Sequence, residues 1–470
     1  MEQSAFPATA AANENVSKAE PKPALSLVDA VALIVGIVVG AGIFRVPSLV
    51  ASNAGSETAF LAAWAVGGLV SLVGALCYAE LASTFPSAGG DYHFLTRAYG
   101  KKLSFLYAWA RMSVIQTGSV ALLAFIFGDF ASQIFRLGEF SSAIYAALIV
   151  VALTAINIAG IGFGTGTQKL LTAIEVLGVL AVIVAGIAAS SPNETQTTAV
   201  STGTGSFGLT MVFVLLTYGG WNEAAYISAE MRGSRRRIAQ ALIAGILIVT
   251  ALYLLVNLAY LSALGLNGLA QSEAAASDAM RGALGGFGAQ FIGLLVAISA
   301  ITSANATIFT GARTNYALGR DFPVLSALGK WNEGSNAPVN AFLAQGAVAL
   351  LLIGLGVLTR KGFETIVEYT APVFWTFFLL TGISLFVLRR KEPRVERPFR
   401  VPLYPLTPLI FCLTSLYLLY SSLAYTGAGA LIGVAVLAIG AVLLAFVSRG
   451  NAFLNVNQTQ GGKIDAEKEN

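Results

Sequence analysis

Two hydrophobic segments of this chain are interrupted by glycine at matching places. The first segment, Val31 to Pro47, is interrupted at Gly40-Ala41-Gly42. The second, Leu209 to Glu230, is interrupted at Tyr218-Gly219-Gly220. Lipid cannot replace the hydrogen bonds that an unwound backbone loses, so such a break survives only where it is buried in protein or lines a cavity. Paired breaks in two halves of a chain are typical of a transporter's binding site.

Each break frees backbone groups that could bind a ligand. The half-helices that begin near Gly42 and Asn222 direct N–H groups, with about half a positive charge, into the breaks. The ends of the other two half-helices offer carbonyl oxygens. An anion site beside a cation site suits the carboxylate and ammonium of an amino acid. The alternative is simple helix packing, since Gly36 and Gly40 also form a small-xxx-small contact motif.

A later apolar segment carries four polar side chains that could complete such a site. They are Ser299, Thr302, Ser303 and Asn305. Side chains at this spacing could line the pocket or, with backbone carbonyls, bind Na⁺. Serine and threonine in membrane helices equally often bond their own backbone, and the sequence leaves both interpretations open.

Three isolated charges fall inside apolar segments. Glu175 is expected about 10 Å into the fifth segment, seven residues after its start at 1.5 Å per residue. A carboxylate there costs about 2.5–3.5 kcal/mol, so Glu175 is a proton carrier, one half of a salt bridge, or an acid near the helix end that extends its charge to the membrane surface. Arg45 follows the first break and could attract substrate or pair with an acid. Arg111 is expected to extend its charge to the membrane surface.

The composition is that of a polytopic membrane protein. Of 470 residues, 56% are hydrophobic and 11% are charged, and glycine occurs 49 times. Twelve apolar stretches are long enough to span a bilayer. They are 28–50, 58–83, 103–130, 142–160, 168–189, 207–230, 238–262, 288–311, 339–358, 363–388, 403–421 and 426–447. The ends, 1–24 and 449–470, are predicted to be disordered cytoplasmic tails.

The positive charges alternate with the predicted spans. With the N-terminus inside, most Lys and Arg residues fall in connections on that side, including the cluster from Arg389 to Arg400. The positive-inside rule therefore predicts that both termini lie in the cytoplasm. The expected location is the plasma membrane, which is the inner membrane if the protein is bacterial. Lipid or nucleic-acid binding is the alternative for these clusters. The strict alternation of these clusters with the spans favours a role in setting the membrane topology. No nucleic-acid partner is expected.

The two broken segments are the first and the sixth, so they cross the membrane in opposite directions. This placement predicts an inverted repeat of five helices, with residues 25–200 and 201–392 as the two repeats. Residues 393–448 would then form two additional helices. The expected fold is an all-α membrane protein of twelve transmembrane helices.

Several motifs together resemble the amino acid–polyamine–organocation superfamily, in particular bacterial permeases similar to the L-type amino acid transporters. The motifs are VGAGIFRVP (39–47), YAELASTFPSAGGDYHFLTRAYG (78–100), YGGWNEAAYISAEMR (218–232), NATIFTGARTNYALGRDFP (305–323) and RPFRVPLYPLTPLIF (397–411). The resemblance implies a LeuT-type fold that binds an α-amino acid between helices one and six. It implies that the carboxylate meets the amides of Ala41 and Gly42. The ammonium would meet the carbonyls of Val38 and Gly219, with Leu216 close by.

The chain departs from the family pattern in two places. Relatives often carry an aromatic gate residue at the position of Leu216. Neither Tyr218 nor Trp221 stands at that position. Leu216, Trp221 and Arg45 are the gate candidates. A family lysine usually follows the helix-five glutamine by seven residues, but Glu175 stands there after Gln168. Because an acid replaces the base at this position, the site around Glu175 should hold a cation, H⁺ or Na⁺.

These observations predict secondary active transport of α-amino acids, most simply as proton symport. The alternatives are amino acid exchange, Na⁺ symport, a polyamine or organic cation carrier, and a channel. A channel needs a polar ring or filter loop that the sequence does not show. Enzyme motifs and His/Cys clusters are also missing, so neither an enzyme activity, a cofactor nor a metal site is expected.

A second protein chain is not expected. Animal relatives attach a heavy chain through a cysteine between helices three and four. The corresponding loop here, residues 131–141, contains none. The two cysteines, Cys77 and Cys412, lie inside apolar segments, so no disulfide is expected either.

Overall fold

The computed structural model describes residues 21–188, 207–272, 274–358 and 371–447, and these are all-helical apart from two isolated β-bridges. The first half contains α1 (Leu27–Val38), α2 (Gly42–Ala51), α3 (Glu57–Thr84), α4 (Asp91–Tyr99), α5 (Lys101–Ala110), α6 (Gln116–Ile134), α7 (Ser141–Ala159) and α8 (Ile161–Ala188). The second contains α9 (Phe207–Thr217), α10 (Arg236–Gln271), α11 (Ala275–Leu284), α12 (Gly286–Asp321), α13 (Val339–Leu358), α14 (Ala371–Lys391), α15 (Leu406–Thr426) and α16 (Gly427–Val447).

Ten helices in the described ranges are long and apolar enough to cross a membrane. One of them joins α5 and α6 through a π-helical turn, Arg111–Ile115. The two glycine-interrupted segments form pairs of short helices instead: α1 with α2, and α9 with the 3-10 helix Trp221–Glu230. The predicted N-terminal tail up to residue 20 and the C-terminal tail lie outside the described residues.

The fifth long helix begins earlier than the sequence predicts. Gly160, with a φ of 144°, ends α7, and α8 begins at Ile161 rather than at residue 168. The extra turns contain polar residues that a helix accommodates, since the Thr165 hydroxyl donates to the Ile161 carbonyl at 2.8 Å. The expected depth of Glu175 was therefore wrong. It lies about 21 Å along the helix, close to its midpoint.

Helix α1 is packed into the centre of the bundle. It contacts α8, α10 and α12, and its buried residues include Leu33, Ile34 and Val35. Gly36 allows the closest approach. A Cβ atom there would lie 2.7 Å from Thr302 Cγ2 and would also collide with the side chains of Thr172 and Gln168. Gly36 is thus a packing glycine.

Gly40, one turn later, has more room. A Cβ atom at Gly40 would meet Ser303 Oγ at 3.5 Å, an ordinary contact, and otherwise only the carbonyl of nearby Val38. The small-xxx-small pair therefore divides into one glycine that packs and one that lies in the break.

We predict that Gly36→Ala lowers the melting temperature of the purified protein. The added methyl group overpacks the junction of α1, α8 and α12, at about 1–3 kcal/mol. The matched control is Gly166→Ala in exposed α8, where a Cβ atom meets nothing within 4 Å. That change should stabilise the helix slightly. Equal melting temperatures for Gly36→Ala and the wild type would contradict the packing role.

Candidate functional site

The first break leaves amide groups free at the start of α2. α1 ends at Val38, and the N–H of Gly40 turns back to the Val38 carbonyl at 2.7 Å. The N–H groups of Ala41 and Gly42 donate to no acceptor within the described ranges. Both residues are partly exposed, whereas Val39 and Ile43 beside them are fully buried. The break therefore opens onto a space inside the bundle.

The second break has the same character. α9 ends at Thr217, and the 3-10 helix begins at Trp221. Between them Gly220 has a φ of 107°, a left-handed conformation that favours glycine. Gly219 is exposed, and its carbonyl accepts no hydrogen bond from the described residues. Here too, free backbone groups face an open space.

The tertiary structure brings the two breaks together. The Tyr253 hydroxyl on α10 donates to the Val38 carbonyl at 2.7 Å and lies 3.1 Å from the Thr217 carbonyl. A Cβ atom on Gly42 would lie 3.2 Å from Thr217 Cγ2, and one on Gly220 would lie 3.4 Å from the Ile37 carbonyl. Tyr253 was not among the residues predicted from the sequence, because a tyrosine in an apolar helix gives no signal of its own.

The polar residues of α12 have divided roles. Ser299 donates to the Val39 carbonyl at 3.0 Å, and Ser303 donates to the Gly36 carbonyl at 3.2 Å. Thr302 donates to the carbonyl of Ile298 in its own helix. Asn305 bonds to Gln168 on α8 at 2.8 Å. Two of the four side chains therefore hold the first break, and the other two do not.

The gate candidates occupy different surroundings. Leu216 is 63% exposed, one turn before Gly219. Trp221 is buried against the rings of Tyr78 and Phe378, at centroid distances of 5.1 and 5.6 Å. The side chain of Arg45 lies outside what the structure describes. Tyr218 packs on the rings of Trp64 and Tyr253.

A cavity of about 40 Å³ adjoins the second break. Gly219, Gly220, Trp221 and Asn222 form one side of it, and the aromatic rings of α14 and α15 form the other. This is room for a few water molecules, since one needs about 10–15 Å³ by the same measure.

Glu175 is fully buried beside the first break. Neither carboxylate oxygen makes a hydrogen bond within the described ranges. Ser299 faces the carboxyl group but donates instead to the Val39 carbonyl. The salt bridge considered for Glu175 does not form, and a single residue, Ser299, lies between this acid and the break.

Below the breaks, toward the face where α1 begins, a cluster of polar residues closes the bundle. We call Asp91, Tyr107, Arg111, Glu223 and Tyr226 the polar seal. Arg111 pairs with Glu223, and the Tyr226 hydroxyl donates to Asp91 at 3.0 Å. All five are buried. The expectation that Arg111 extends to the membrane surface was wrong, because Glu223 provides a buried counter-charge.

The seal is connected to the second break. Asn222, one residue after Trp221, reaches Asp91 Oδ2 at 3.5 Å. Burial raises the pKa of Asp91, while hydroxyl donors and the Arg111 guanidinium oppose that rise. Asp91 is the first residue of α4, in a connecting segment, and no pattern in the sequence distinguishes it from other loop acids.

Two further carboxylates form ion pairs at the same face. Glu230 forms a fully buried pair with Arg313 of α12. Its backbone carbonyl accepts the N–H groups of Ala24 and Leu25, so the segment that precedes α1 is bound to the end of the 3-10 helix. Glu80 pairs with Arg389 at 2.6 Å and with Arg397 at 3.3 Å.

Comparison with known proteins agrees with this architecture. The amino acid permease family model matches residues 25–446, and the chain belongs to that family. The chain is therefore a multi-pass membrane transporter of the amino acid–polyamine–organocation superfamily and not an enzyme, as the sequence motifs predicted.

The similar proteins are named amino acid transporters. The b(0,+)-type amino acid transporter 1 of Homo sapiens is 30% identical over 86% of this chain and 84% of its own length. The serine/threonine exchanger SteT of Bacillus subtilis is 27% identical over 86% of this chain and 91% of its own. The large neutral amino acids transporter small subunit 2 of Mus musculus is 30% identical over 86% and 76%.

We predict that Arg111→Gln destabilises the protein by about 3–5 kcal/mol, because it leaves Glu223 charged, buried and unpaired. The double variant Arg111→Gln/Glu223→Gln should recover part of that loss, giving a measurable coupling in a double-mutant cycle of thermal stability. Arg97→Gln is the control. It breaks the more exposed Arg97–Glu392 pair, whose contribution should be about 1 kcal/mol or less. An Arg111→Gln variant as stable as Arg97→Gln would contradict the seal.

Proposed function

We propose that this protein is a secondary active transporter of α-amino acids, with its substrate bound between the two broken segments. One observation carries the proposal: the N–H groups of Ala41 and Gly42 and the carbonyl of Gly219 have no hydrogen-bond partner within the described ranges, and Gly42 lies against Thr217 at the edge of the second break. Backbone groups left unpaired inside a membrane protein need a partner. A zwitterion offers the acceptor and the donor that they lack.

The proposed pose of the substrate follows from which backbone groups already have a hydrogen-bond partner. The substrate carboxylate accepts from the N–H groups of Ala41 and Gly42. The Val38 carbonyl, expected to take the ammonium, already accepts from Gly40 and Tyr253. The carbonyls of Ile37 and Gly219 accept nothing from the described residues, so we assign the ammonium to them.

We also propose that the described conformation opens to the side opposite the polar seal. The break residues remain partly exposed, whereas Arg111–Glu223 and Arg313–Glu230 close the face where α1 begins. With the inverted repeat of residues 25–200 and 201–392 and cytoplasmic termini, this is an outward-facing state. Transport then requires these ion pairs to separate while Leu216 or Trp221 closes the outer side.

We predict that binding needs both charged groups of the substrate. An amino acid ester and the corresponding decarboxylated amine should each compete far more weakly than the parent amino acid, because each leaves one set of backbone groups unpaired. Thermal-shift titration of the purified protein measures this, since ligands stabilise the folded state by mass action.

Gly42→Val supplies the structural arm of the same experiment. Its side chain would fill the space beside Thr217 and should abolish the ligand-induced shift in a folded protein. Gly166→Val, in an open position on α8, should keep the shift. Competition by the plain amine as strong as by the amino acid would indicate an organic cation carrier instead.

For coupling, we propose that Glu175 carries the transported proton. The acid is fully buried, has no counter-ion within the described ranges and lies one side chain from the first break. Exchange is the second candidate, because one relative is named an exchanger. Na⁺ symport would need oxygen ligands that converge near Glu175.

We predict that Glu175→Gln, which resembles the protonated acid, keeps substrate binding but loses uptake driven by a pH gradient in proteoliposomes. The control is Glu57→Gln, on an exposed helix start. Amino acid loaded inside the proteoliposomes tests the second candidate, which is exchange. If wild-type uptake ignores the pH gradient and requires internal substrate, the protein is an exchanger and Glu175 is not a coupling residue.

We expect this chain to work without a disulfide-linked partner. The name of the mouse relative makes that protein the small subunit of an assembly. In this chain, both cysteines lie within helices, where Cys77 is buried and Cys412 half-buried, and the connection between α6 and α7 has none.

A further inference from the structure

On the face where α1 begins, cations with and without an ion-pair partner are unevenly distributed. Most of its ion pairs join different elements: Arg97–Glu392, Lys101–Asp321, Lys169–Asp29, Arg313–Glu230, and Arg389 and Arg397 with Glu80. Seven exposed arginines in two connections make no ion pair within the described ranges. They are Arg232, Arg235, Arg236, Arg237, Arg390, Arg394 and Arg400, which we call the basic surface.

A hydrogen bond joins the two connections into one surface. Arg236 Nε donates to the Pro398 carbonyl at 2.7 Å. Arg400 is two residues from Pro398 and Arg394 is four, so their Cα atoms lie within about 7 and 14 Å of it. The segment is held in place because the Val401 N–H donates to Glu80 Oε2 at 2.7 Å. One exposed acid, Glu396, lies among these arginines.

The basic surface lies at the level where a membrane's headgroups begin. α10 starts at Arg236, α14 ends at Lys391 and α15 starts at Leu406, so the arginines directly flank three apolar helices. The positive-inside rule accounts for the sign of these charges. It does not account for their concentration here without carboxylate partners while other cations on the same face are paired.

The type of cation indicates the ligand. Within the described ranges, seven of the eight exposed cations without an ion pair at these two connections are arginine, the eighth being Lys391. The planar guanidinium of arginine binds two oxygens of a phosphate at once. Clustered basic residues next to membrane helices attract anionic lipids. We propose that the basic surface binds the phosphodiester headgroup of an anionic phospholipid in the adjacent leaflet.

Such a lipid would lie beside the moving part of the protein. Arg232 is two residues beyond Glu230, the last residue of the 3-10 helix and the partner of Arg313. The headgroup would therefore hold the connection that follows the second break. This site needs no assumption about which solute is transported.

The test compares lipid binding by three forms of the full chain in detergent. The first is wild type, and the second is Arg235→Gln/Arg394→Gln/Arg400→Gln, which leaves the structural bond of Arg236 intact. The third is the control Lys102→Gln/Arg136→Gln/Lys330→Gln, with the same loss of charge at dispersed exposed sites. Phosphatidylglycerol and phosphatidylcholine are titrated against each, with native mass spectrometry counting bound lipid and thermal shift measuring stabilisation.

We expect phosphatidylglycerol, but not phosphatidylcholine, to bind and stabilise the wild type and the control. The arginine triple variant should bind it roughly 100-fold more weakly, at about five-fold for each arginine removed. Equal effects of the two lipids, or an arginine triple variant that binds like the control, would overturn the proposal. Stabilisation by soluble glycerol phosphate alone would also overturn it, because the site would then hold a free anion and not a lipid. An unfolded triple variant is replaced by the single Arg400→Gln, expected at about five-fold weaker binding.

Discussion

Backbone polar groups that no helix satisfies are the constraint on which this structure depends. Within an apolar bundle each such group needs a partner, and two breaks create several at once. Side chains from neighbouring helices provide some of them: Tyr253 bonds to Val38 at the first break and approaches Thr217 at the second, and Ser299 bonds to Val39. The groups that remain, on Ala41, Gly42 and Gly219, are those that the proposed substrate would satisfy.

The same requirement explains the arrangement of buried charge. Arg313 and Glu230 are almost completely buried and neutralise each other, as do Arg111 and Glu223. These pairs connect the half-helix after the second break to the long helices around it, so they close one face while the bundle is in this conformation. Among the residues that the structure describes, Glu175 has no such partner and is buried. A proton that arrives and leaves is the simplest neutralising species for an acid in that position.

The sequence predicted the class of fold and the breaks because both depend on local composition. Apolar runs of sufficient length and glycines inside them are visible without three-dimensional information. The start of α8 was misplaced because Thr165, with the glycines around it, makes the early turns weakly apolar, although the Thr165 hydroxyl donates to the Ile161 carbonyl of the same helix. Hydropathy alone registers the polar residue and not its partner.

The contacts of isolated side chains could not be predicted from the sequence for a different reason. Arg111 and Glu223 are separated by 112 residues, and nothing in either segment indicates that they meet. Tyr253 is one more aromatic residue in an apolar helix until its hydroxyl is seen between two carbonyls. Such roles depend on the packing of whole helices, which a single sequence does not specify.

The central claim is that the two breaks together form an amino acid site. The most direct test is an electron cryo-microscopy structure of the protein in lipid nanodiscs with a stabilising amino acid at saturation. We expect a substrate carboxylate at hydrogen-bond distance, about 2.7–3.2 Å, from the N–H groups of Ala41 and Gly42. Substrate density in another part of the bundle, with both breaks unoccupied, would contradict it.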